Sequence, residues 1–208
     1  MTPFSRRAFV TAAVAALLVG CGGHPADPPA TARAGSTSPA ARTGGTPPAS
    51  RPAHTLGRSV PVGLRIPAIG VDTPLMRLGL APDGSVQVPP IAAHDRAGWY
   101  RNSPTPGQKG PSVILGHVTV GAYGDGVFRH LARLRHGDRI VVRLENGRSA
   151  VFAVSTVRTV AKADFPADAV YGDVDRPELR LITCGGLRSG NGYLDNVIVF
   201  AALSSANP

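Results

Sequence analysis

Short apolar segments bounded by turn-forming residues recur from about residue 60 to the end of the chain, and they constrain the fold strongly. The segments are four to eight residues long, and Gly, Pro, Asp or Asn lies between them. This length and this punctuation are typical of β-strands. The segments are Val62–Ile66, Ser85–Val88, Ser112–Leu115, Ile140–Leu144, Ala150–Val157, Leu179–Thr183 and Asn196–Ala201. We therefore predict an all-β barrel or sandwich.

The clearest local element is a β-hairpin at Asn146-Gly147. Asn-Gly suits a two-residue type I′ turn, because both central residues need positive φ. Such a turn joins one face of Ile140–Leu144 with Val151 and Ala153 in the core. Helical periodicity is sparse, and the three-residue apolar spacing in Phe128–Leu134 predicts one short helix.

The distribution of aromatic residues separates a folded region from a segment that has no core. Of 11 aromatic residues, none lies between Phe9 and Trp99 and nine lie from Trp99 onward. In residues 22–58, 29 of 37 residues are Gly, Ala, Pro, Ser or Thr. Such a composition cannot bury enough apolar surface to fold. We predict a disordered linker over residues 21–58 and one compact domain over residues 59–208.

The first 20 residues have the pattern of a secretory signal peptide. Arg6-Arg7 precedes the apolar segment Thr11–Val19, which is too short to span a bilayer and ends next to small residues. Ser5-Arg-Arg-Ala-Phe9 resembles the twin-arginine export signal, although ordinary signal peptides also contain arginine pairs. The pattern predicts export of the chain.

Leu18-Val-Gly-Cys21 resembles a bacterial lipobox, in which Cys21 becomes the lipid-modified first residue of the mature protein. The alternative is a plain signal peptide that happens to be followed by a cysteine. Acyl chains on Cys21 would anchor the protein to the outer face of the plasma membrane, facing the cell wall. The linker would then hold the domain away from the membrane.

The net charge of +9 does not indicate a nucleic-acid-binding protein. Six of the 22 Lys and Arg residues precede residue 59, where only Asp27 opposes them, so the domain carries 16 basic and 12 acidic residues. The sequence has no basic helix and no Lys/Arg run with interleaved aromatic residues. A basic surface suits an acidic cell envelope, and no nucleic-acid partner is predicted.

Cys184 is the candidate nucleophile. If Cys21 is lipidated, Cys184 is the only free thiol, and it follows a strand-like segment and precedes Gly185-Gly186. Glycines behind a cysteine open the backbone to an approaching carbonyl group. A buried structural cysteine is the alternative interpretation. A lone thiol in an exported chain is exposed to oxidation, which favours a functional role.

His117 is the candidate general acid and base, because it lies within Val113–Val118, at the end of an apolar strand-like segment, and also follows a glycine. Thiol chemistry needs a proton acceptor and later a proton donor, and imidazole serves as both near neutral pH. The alternative is an ordinary polar residue near a strand. His94 is the second candidate histidine.

Two segments that contain these residues, Leu115-Gly-His117-Val and Leu181-Ile-Thr-Cys184-Gly-Gly, resemble the two signatures of sortases. The resemblance is to the class E/F type of high-GC Gram-positive bacteria and extends over roughly Val60–Leu203. It implies an eight-stranded sortase β-barrel with one or two short helices. It also implies that the histidine and the cysteine lie at neighbouring strand ends beside a substrate groove.

The resemblance further implies a cysteine transpeptidase. Cys184 would attack the Thr carbonyl of an LPXTG-like sorting signal and form an acyl-enzyme thioester, while His117 protonates the departing Gly amine. An amine of a peptidoglycan precursor or of a pilin would then resolve the thioester. The expected partners are surface proteins with such signals and these amines, and the enzyme is expected to be a monomer.

The third member of the family's catalytic set is an arginine on the last strand that stabilises the oxyanion. Alignment puts Asn196 at this position, or Leu194 if the loop is gapped differently, and Asn supplies a hydrogen bond but no charge. Thr183 resembles the family's threonine before the nucleophile and is a second oxyanion candidate. Other arginines that could substitute are Arg101, Arg180 and Arg188.

No metal and no cofactor are predicted. A metal site needs three or four ligands, and His117 with Cys184 supplies two. Calcium activates some sortases, but Asp164 and Asp168 are too few for a calcium site. Two cysteines also exclude a disulfide-stapled scaffold.

Two other functional classes fit the sequence less well. In cell-wall hydrolases of the NlpC/P60 type the cysteine precedes the histidine, and L,D-transpeptidases carry a Ser-x-Gly-Cys signature that this chain lacks. The non-enzymatic alternative is a catalytically weakened sortase-like lipoprotein that binds wall or sorting-signal peptides. The missing arginine favours it, whereas the intact Cys and His segments oppose it.

Overall fold

The computed structural model describes residues 55–190 and 192–207. The predicted signal peptide, the lipidation site Cys21 and the linker up to residue 54 lie outside the described residues. The strands of the described part are β1 (Pro61–Ile66), β2 (Val71–Leu78), β3 (Ala97–Tyr100), β4 (Gly110–Leu115), β5 (Thr119–Val120), β6 (Gly124–Asp125), β7 (Arg139–Leu144), β8 (Ser149–Ala161), β9 (Pro177–Ser189) and β10 (Gly192–Asn207).

Within residues 55–190 and 192–207, the helices are short. One α-helix, α1 (Ala167–Tyr171), precedes β9. Within the described residues, no helix is long and apolar enough to cross a membrane. Single 3₁₀ turns occur at Pro67–Ile69, Ile91–Ala93, Gly121–Tyr123, Leu131–Arg133 and Lys162–Asp164.

Eight of the strands close into one barrel in the order β1-β2-β3-β4-β9-β10-β8-β7. The pairs β2–β3 and β4–β9 are parallel, and the other pairs are antiparallel. The remaining strands, β5 and β6, form a separate two-stranded sheet. The predicted all-β barrel is therefore confirmed.

Alternating residues of the strands fill the barrel, and a second apolar cluster covers part of its outer surface. Trp99, Phe128 and Phe152 are among the largest fully buried side chains of the interior. The outer cluster joins β2, β4, β9 and β10 with Val170 of α1, so α1 packs on the outside of the barrel. Its buried members are Leu78, Val113, Leu115, Val170, Ile182 and Ile198.

The domain begins earlier than predicted. Leu56, which composition assigned to the linker, is only 4% exposed and belongs to the core cluster. Its backbone N–H donates to the carbonyl of Gly107 at 2.8 Å. A Cβ on Gly107 would lie 2.7 Å from the Leu56 side chain, so the glycine makes room for the leucine.

The predicted hairpin is present, but its register differs by one residue from the prediction. Leu144 N–H donates to the carbonyl of Arg148, and Gly147 has φ +83°, so the loop has three residues rather than two. Ile140 therefore pairs with Phe152, and Val142 pairs with Ala150. A shift of one residue exchanges the faces of a strand, so Val151 and Ala153 do not join the interior cluster.

Two further sequence-based assignments were wrong. Ser85–Val88 forms no strand and contributes only the isolated bridge between Leu80 and Val86. Phe128–Leu134 forms a single 3₁₀ turn at Leu131–Arg133, because its apolar side chains fill the end of the barrel instead of covering one face of a helix.

Candidate active site

Cys184 lies on β9 and faces outward from the barrel. Along β9, Leu181 points into the interior cluster, whereas Ile182 belongs to the outer cluster. Because side chains alternate along a strand, Cys184 shares the outer face with Ile182. It is a free thiol and half-buried.

His117 lies at the same end of the neighbouring strand. Leu115 of β4 pairs in parallel with Ile182 of β9, and Gly116 N–H donates to the Ile182 carbonyl at 3.1 Å. His117 and Cys184 each lie two residues beyond that pair. Since neighbouring strands are about 4.8 Å apart, this register brings the backbones of the two residues to the same end of the paired strands.

The backbone of His117 is held from a different part of the chain. Its carbonyl accepts a hydrogen bond from Phe128 N–H at 2.9 Å. A Cβ on Gly126 would overlap the His117 carbonyl group, so only glycine fits at this contact. The imidazole Nε2 lies 2.6 Å from the carbonyl oxygen of Pro89, which is buried.

The two glycines after Cys184 are required by packing against β10. A Cβ on Gly185 would lie 2.5 Å from Val197 Cγ2, and a Cβ on Gly186 would overlap the Asp195 carboxylate. Gly186 also has φ +73°, which side chains disfavour. The glycines therefore have a packing role, besides the role that the sequence indicates, which is to leave the thiol open to an approaching carbonyl group.

Asn196 lies directly opposite Cys184, because the two residues pair across β9 and β10. Directly paired residues of antiparallel strands project on the same side of the sheet. Leu194 lies in the irregularity between Tyr193 and Asp195 and is 51% exposed. The register therefore brings Asn196 to the thiol and gives Leu194 no partner on β9.

The three substitute arginines lie in different places. Arg101 follows β3, which runs antiparallel to β4, so it is near the start of β4 and away from His117. Arg180 is on β9 but 2% exposed, and it binds Glu178 and the carbonyl of Ala169. Arg188 lies four residues after Cys184 and is exposed. Of the three, only Arg188 is both exposed and on the strand that carries Cys184.

The other two predicted residues, Thr183 and His94, have different surroundings. Thr183 is 4% exposed and pairs with Val197, which belongs to the interior cluster, so its hydroxyl faces the inside of the barrel. His94 packs on Tyr123 with ring centroids 5.2 Å apart. Its Nδ1 is buried and finds no hydrogen-bond partner among the described residues.

A pair of hydroxyl groups, which no sequence pattern indicates, joins two further residues of the barrel. Thr119, two residues after His117, lies 2.8 Å from Tyr193, oxygen to oxygen. Tyr193 pairs with Arg188, whose guanidinium lies 5.3 Å from the ring centroid. The pair links the segment after β4 to β10, across the end of β9 that follows Cys184. Neither Thr119 nor Tyr193 lies in a recognisable sequence motif, and they meet only because the chain folds into this barrel.

A cavity of about 430 Å³ opens on the same outer face, further along β4. Val113 forms its floor, and Tyr171 at the end of α1 is one wall. Burial and the neighbouring Tyr100 raise the pKa of Tyr171, so its hydroxyl stays neutral at physiological pH. Tyr100, Leu80 and Val86 complete most of the apolar lining.

No metal centre is evident at the site. Within the described residues, no group of three or more His, Cys, Asp or Glu is arranged to hold a metal ion. Asp164 and Asp168, the residues considered for calcium, are both exposed.

Comparison with known proteins agrees with the barrel fold. The sortase domain model matches residues 64–204. The SrtA sortase of Actinomyces oris is 25% identical, with a TM-score of 0.53, over 76% of this chain and 87% of its own. Sortase A of Listeria monocytogenes is 15% identical, with a TM-score of 0.53, over 72% of this chain and 90% of its own.

The Streptococcus pneumoniae sortase C is 19% identical, with a TM-score of 0.52, over 69% of this chain and 66% of its own. The Listeria and Streptococcus enzymes share the fold at these low identities. No curated protein matches the chain. Because the domain model covers more than half of the sequence, the chain belongs to the sortase family.

Proposed function

We propose that this sortase is a cysteine transpeptidase with Cys184 as the nucleophile and His117 as the general acid and base. The observation that carries the proposal is the shared register of β4 and β9, in which both residues follow the paired Leu115 and Ile182 by two positions. A free, half-buried thiol beside an imidazole is the arrangement that nucleophilic thiol chemistry needs.

The reaction has two halves. The thiol proton passes to His117 while Cys184 Sγ attacks the Thr carbonyl carbon of an LPXTG-like sorting signal. The Thr–Gly C–N bond then breaks, and His117 returns the proton to the Gly amine, leaving a thioester. In the second half an acceptor amine attacks the thioester, its proton passes through His117 to the departing sulfur, and a new amide bond forms.

Asn196 is the proposed third catalytic residue. Its position opposite Cys184 supports a role for its side-chain amide as a donor to the oxyanion of each tetrahedral intermediate. Arg188 is the alternative donor and would bring a positive charge. The structure lends no support to Arg101, Arg180 or Thr183 in this role, because their side chains lie elsewhere.

The apolar outer face next to Cys184 suits an extended, mainly apolar peptide. We place the sorting signal along β4 and β9, between α1 and the β2–β3 connection. Wall precursors are the proposed acceptors, and pilins are the second acceptor class, as in the Streptococcus pneumoniae sortase C with its pilin substrates. The two segments that contain His117 and Cys184 resemble the class E/F type, and we propose that the enzyme belongs to this type.

The proposed location is the outer face of the plasma membrane, with a lipid on Cys21 and a linker that lets the domain reach the wall. The N-terminal sequence supports export, and the twin-arginine-like segment supports the twin-arginine route. The substrates of such an enzyme are exposed on the same side of the membrane, which agrees with this location.

A second candidate function is peptide binding without efficient catalysis. The observation that favours it is Asn196 at the position of the family's arginine, because a neutral donor stabilises an oxyanion less than a cation does. Such a protein would still bind sorting-signal or wall peptides on the outer face of β4 and β9.

The test is transfer of a quenched LPXTG-type peptide to an amine by the full chain in detergent. We expect an acyl-enzyme mass adduct on Cys184 and an amide product. Cys184→Ala should abolish both, and His117→Gln should lower turnover by about 10² to 10⁴-fold. The control is His136→Gln, an exposed histidine away from the site, which should retain full activity. Peptide binding without any adduct would contradict catalysis and support the second candidate.

A further inference from the structure

One contact of His117 has no role in the proposed transpeptidation. The imidazole Nε2 of His117 lies 2.6 Å from the carbonyl oxygen of Pro89. Pro89 belongs to the connection between β2 and β3, which contributes none of the three proposed catalytic residues. We infer that the Pro89 carbonyl is a positioning group that fixes His117 in the Nε2–H tautomer and so assigns all proton exchange to Nδ1. The inference deepens the proposed function and rests on it.

The chemistry of the two atoms supports this assignment. A carbonyl oxygen can only accept a hydrogen bond, so Nε2 must be the donor. A neutral imidazole carries one ring proton, and with that proton on Nε2 the lone pair is on Nδ1. The imidazolium form carries protons on both nitrogens and keeps the same bond. The ring therefore need not rotate as a proton arrives at Nδ1 from Cys184 and leaves from Nδ1 to the amine.

The sequence holds this carbonyl in a narrow range of orientations. Pro89 is followed by Pro90, which has φ −55° and ψ 146°. A proline fixes its own φ and also restricts the residue before it, so the peptide group between the two prolines is stiff. Pro89 is buried, whereas its neighbours Val88 and Pro90 are exposed.

The connection that carries Pro89 is attached at both ends. Before it, Gln87 bonds twice to Gly79 at the end of β2, with its side-chain Oε1 accepting at 2.7 Å and its backbone N–H donating at 3.0 Å. After it, the carbonyl of Asp95 accepts from Thr73 Oγ1 at 2.9 Å. The carbonyl and the histidine backbone are thus held by separate contacts, which is how a ring is preorganised before substrate binds.

The tautomer is measured directly by ¹⁵N NMR of the histidine side chains in the full chain carrying Cys184→Ala, in detergent, at a pH where the ring is neutral. The His117 signals are identified by their loss in His117→Gln. We expect a pyrrole-type Nε2 and a pyridine-type Nδ1. An Nδ1–H tautomer, or averaged signals from both tautomers, would overturn the inference.

The functional consequence is measured in the Pro89→Gly/Pro90→Gly double variant, which keeps the carbonyl but frees its orientation. We expect averaged tautomer signals and a kcat about tenfold lower, with KM within about twofold, since one hydrogen bond of ordinary strength is lost. The matched control is Pro67→Gly, exposed in the turn between β1 and β2, which should keep wild-type kcat and one tautomer.

Pro90→Ala is the milder second variant if the double variant does not fold. It should also show averaged tautomer signals and a lower kcat, with a smaller decrease than in the double variant. Wild-type kcat with a single tautomer in the loosened variants would overturn the inference. The NMR experiment needs no turnover, so the two failures are distinguishable. A fixed tautomer in a chain that transfers no peptide contradicts only the proposed function, whereas transfer with mixed tautomers contradicts only the role of Pro89.

Discussion

At the scale of single residues, three neighbouring strands each bring one side chain to the proposed reaction centre. β9 supplies Cys184, β4 leads into His117, and β10 places Asn196 opposite the thiol. Strand pairing fixes Cys184 and Asn196, because the backbone hydrogen bonds of the ladder must break before one residue can slip. His117 lies just beyond β4, and its backbone is held by the hydrogen bond from Phe128 N–H.

The role of Asn196 can be separated from that of Arg188. If the Asn196 amide donates to the oxyanion, Asn196→Ala and the isosteric Asn196→Asp should each lower kcat by about 10²-fold, the usual cost of an oxyanion donor. Arg188→Ala should change kcat by less than about fivefold. Steady-state transfer kinetics with a sorting-signal peptide measure all three variants.

A larger loss of kcat in Arg188→Ala than in the Asn196 variants would assign the oxyanion contact to Arg188 instead. Circular dichroism of each variant shows whether the barrel is intact, since Asn196 lies inside a strand. Asn196→Arg adds a second readout, because it supplies the arginine that the resemblance implies for this position. If catalysis there depends on charge alone, this variant should exceed the wild type in kcat.

At the scale of elements, sequence patterns located most strands but not their register. The apolar segments found β1, β4 and β7 to within two residues, because these strands are short and end at turn residues. The extra loop residue at Gly147 could not be read from Asn-Gly, since that pair also serves three-residue loops. β3 and α1 escaped notice because four and five residues carry too little periodicity.

Elements are also joined by a buried charge network that ties α1 to β9. Arg180, 2% exposed, donates to the carbonyl of Ala169 in α1 and pairs with Glu178 on its own strand. Phe200 of β10 lies under the guanidinium, 4.6 Å from it to the ring centroid. This network holds α1, and with it the wall of the cavity, against the barrel.

The same network makes stability depend on pH in the acid range. Burial alone would raise the pKa of Glu178, but hydrogen bonds from Arg176 and Arg180 outweigh it and hold that pKa below its ordinary value of 4.5. A depressed pKa means that the unfolded state binds the proton more readily. The contribution of Glu178 is therefore complete above about pH 4.5 and is lost as the pH falls through the lower folded-state value.

Glu178→Gln should remove this part of the pH dependence. Urea unfolding at a series of pH values should show that the free energy of unfolding falls less steeply with decreasing pH (a flatter acid limb) than in the wild type. Stability at neutral pH should also be lower, because Arg180 loses its charged partner. The control is Asp164→Asn, an exposed carboxylate, which should leave the wild-type profile unchanged. An acid limb as steep in Glu178→Gln as in the wild type would contradict the argument.

At the scale of the whole molecule, the site was more predictable from sequence than the path of the chain. Cys184 and His117 stand out because a thiol and an imidazole after strand-like segments are chemically conspicuous. Pro89, Thr119 and Tyr193 do not, because their roles depend on contacts between residues 28 and 74 positions apart. Composition also misplaced the domain boundary, since it averages over a window and cannot detect one buried leucine.

That boundary gives a prediction for the whole domain. Leu56 is buried against Gly107 in the interior cluster, so Leu56→Ala in the full chain should cost about 2 to 4 kcal/mol of unfolding free energy, as for other buried leucines. Leu187→Ala is the control, because that leucine is 78% exposed and its loss should cost less than about 0.5 kcal/mol. Urea denaturation measures both. Equal costs would mean that residues before 59 only tether the barrel, whereas the expected difference makes them part of the fold that holds His117 and Cys184 together.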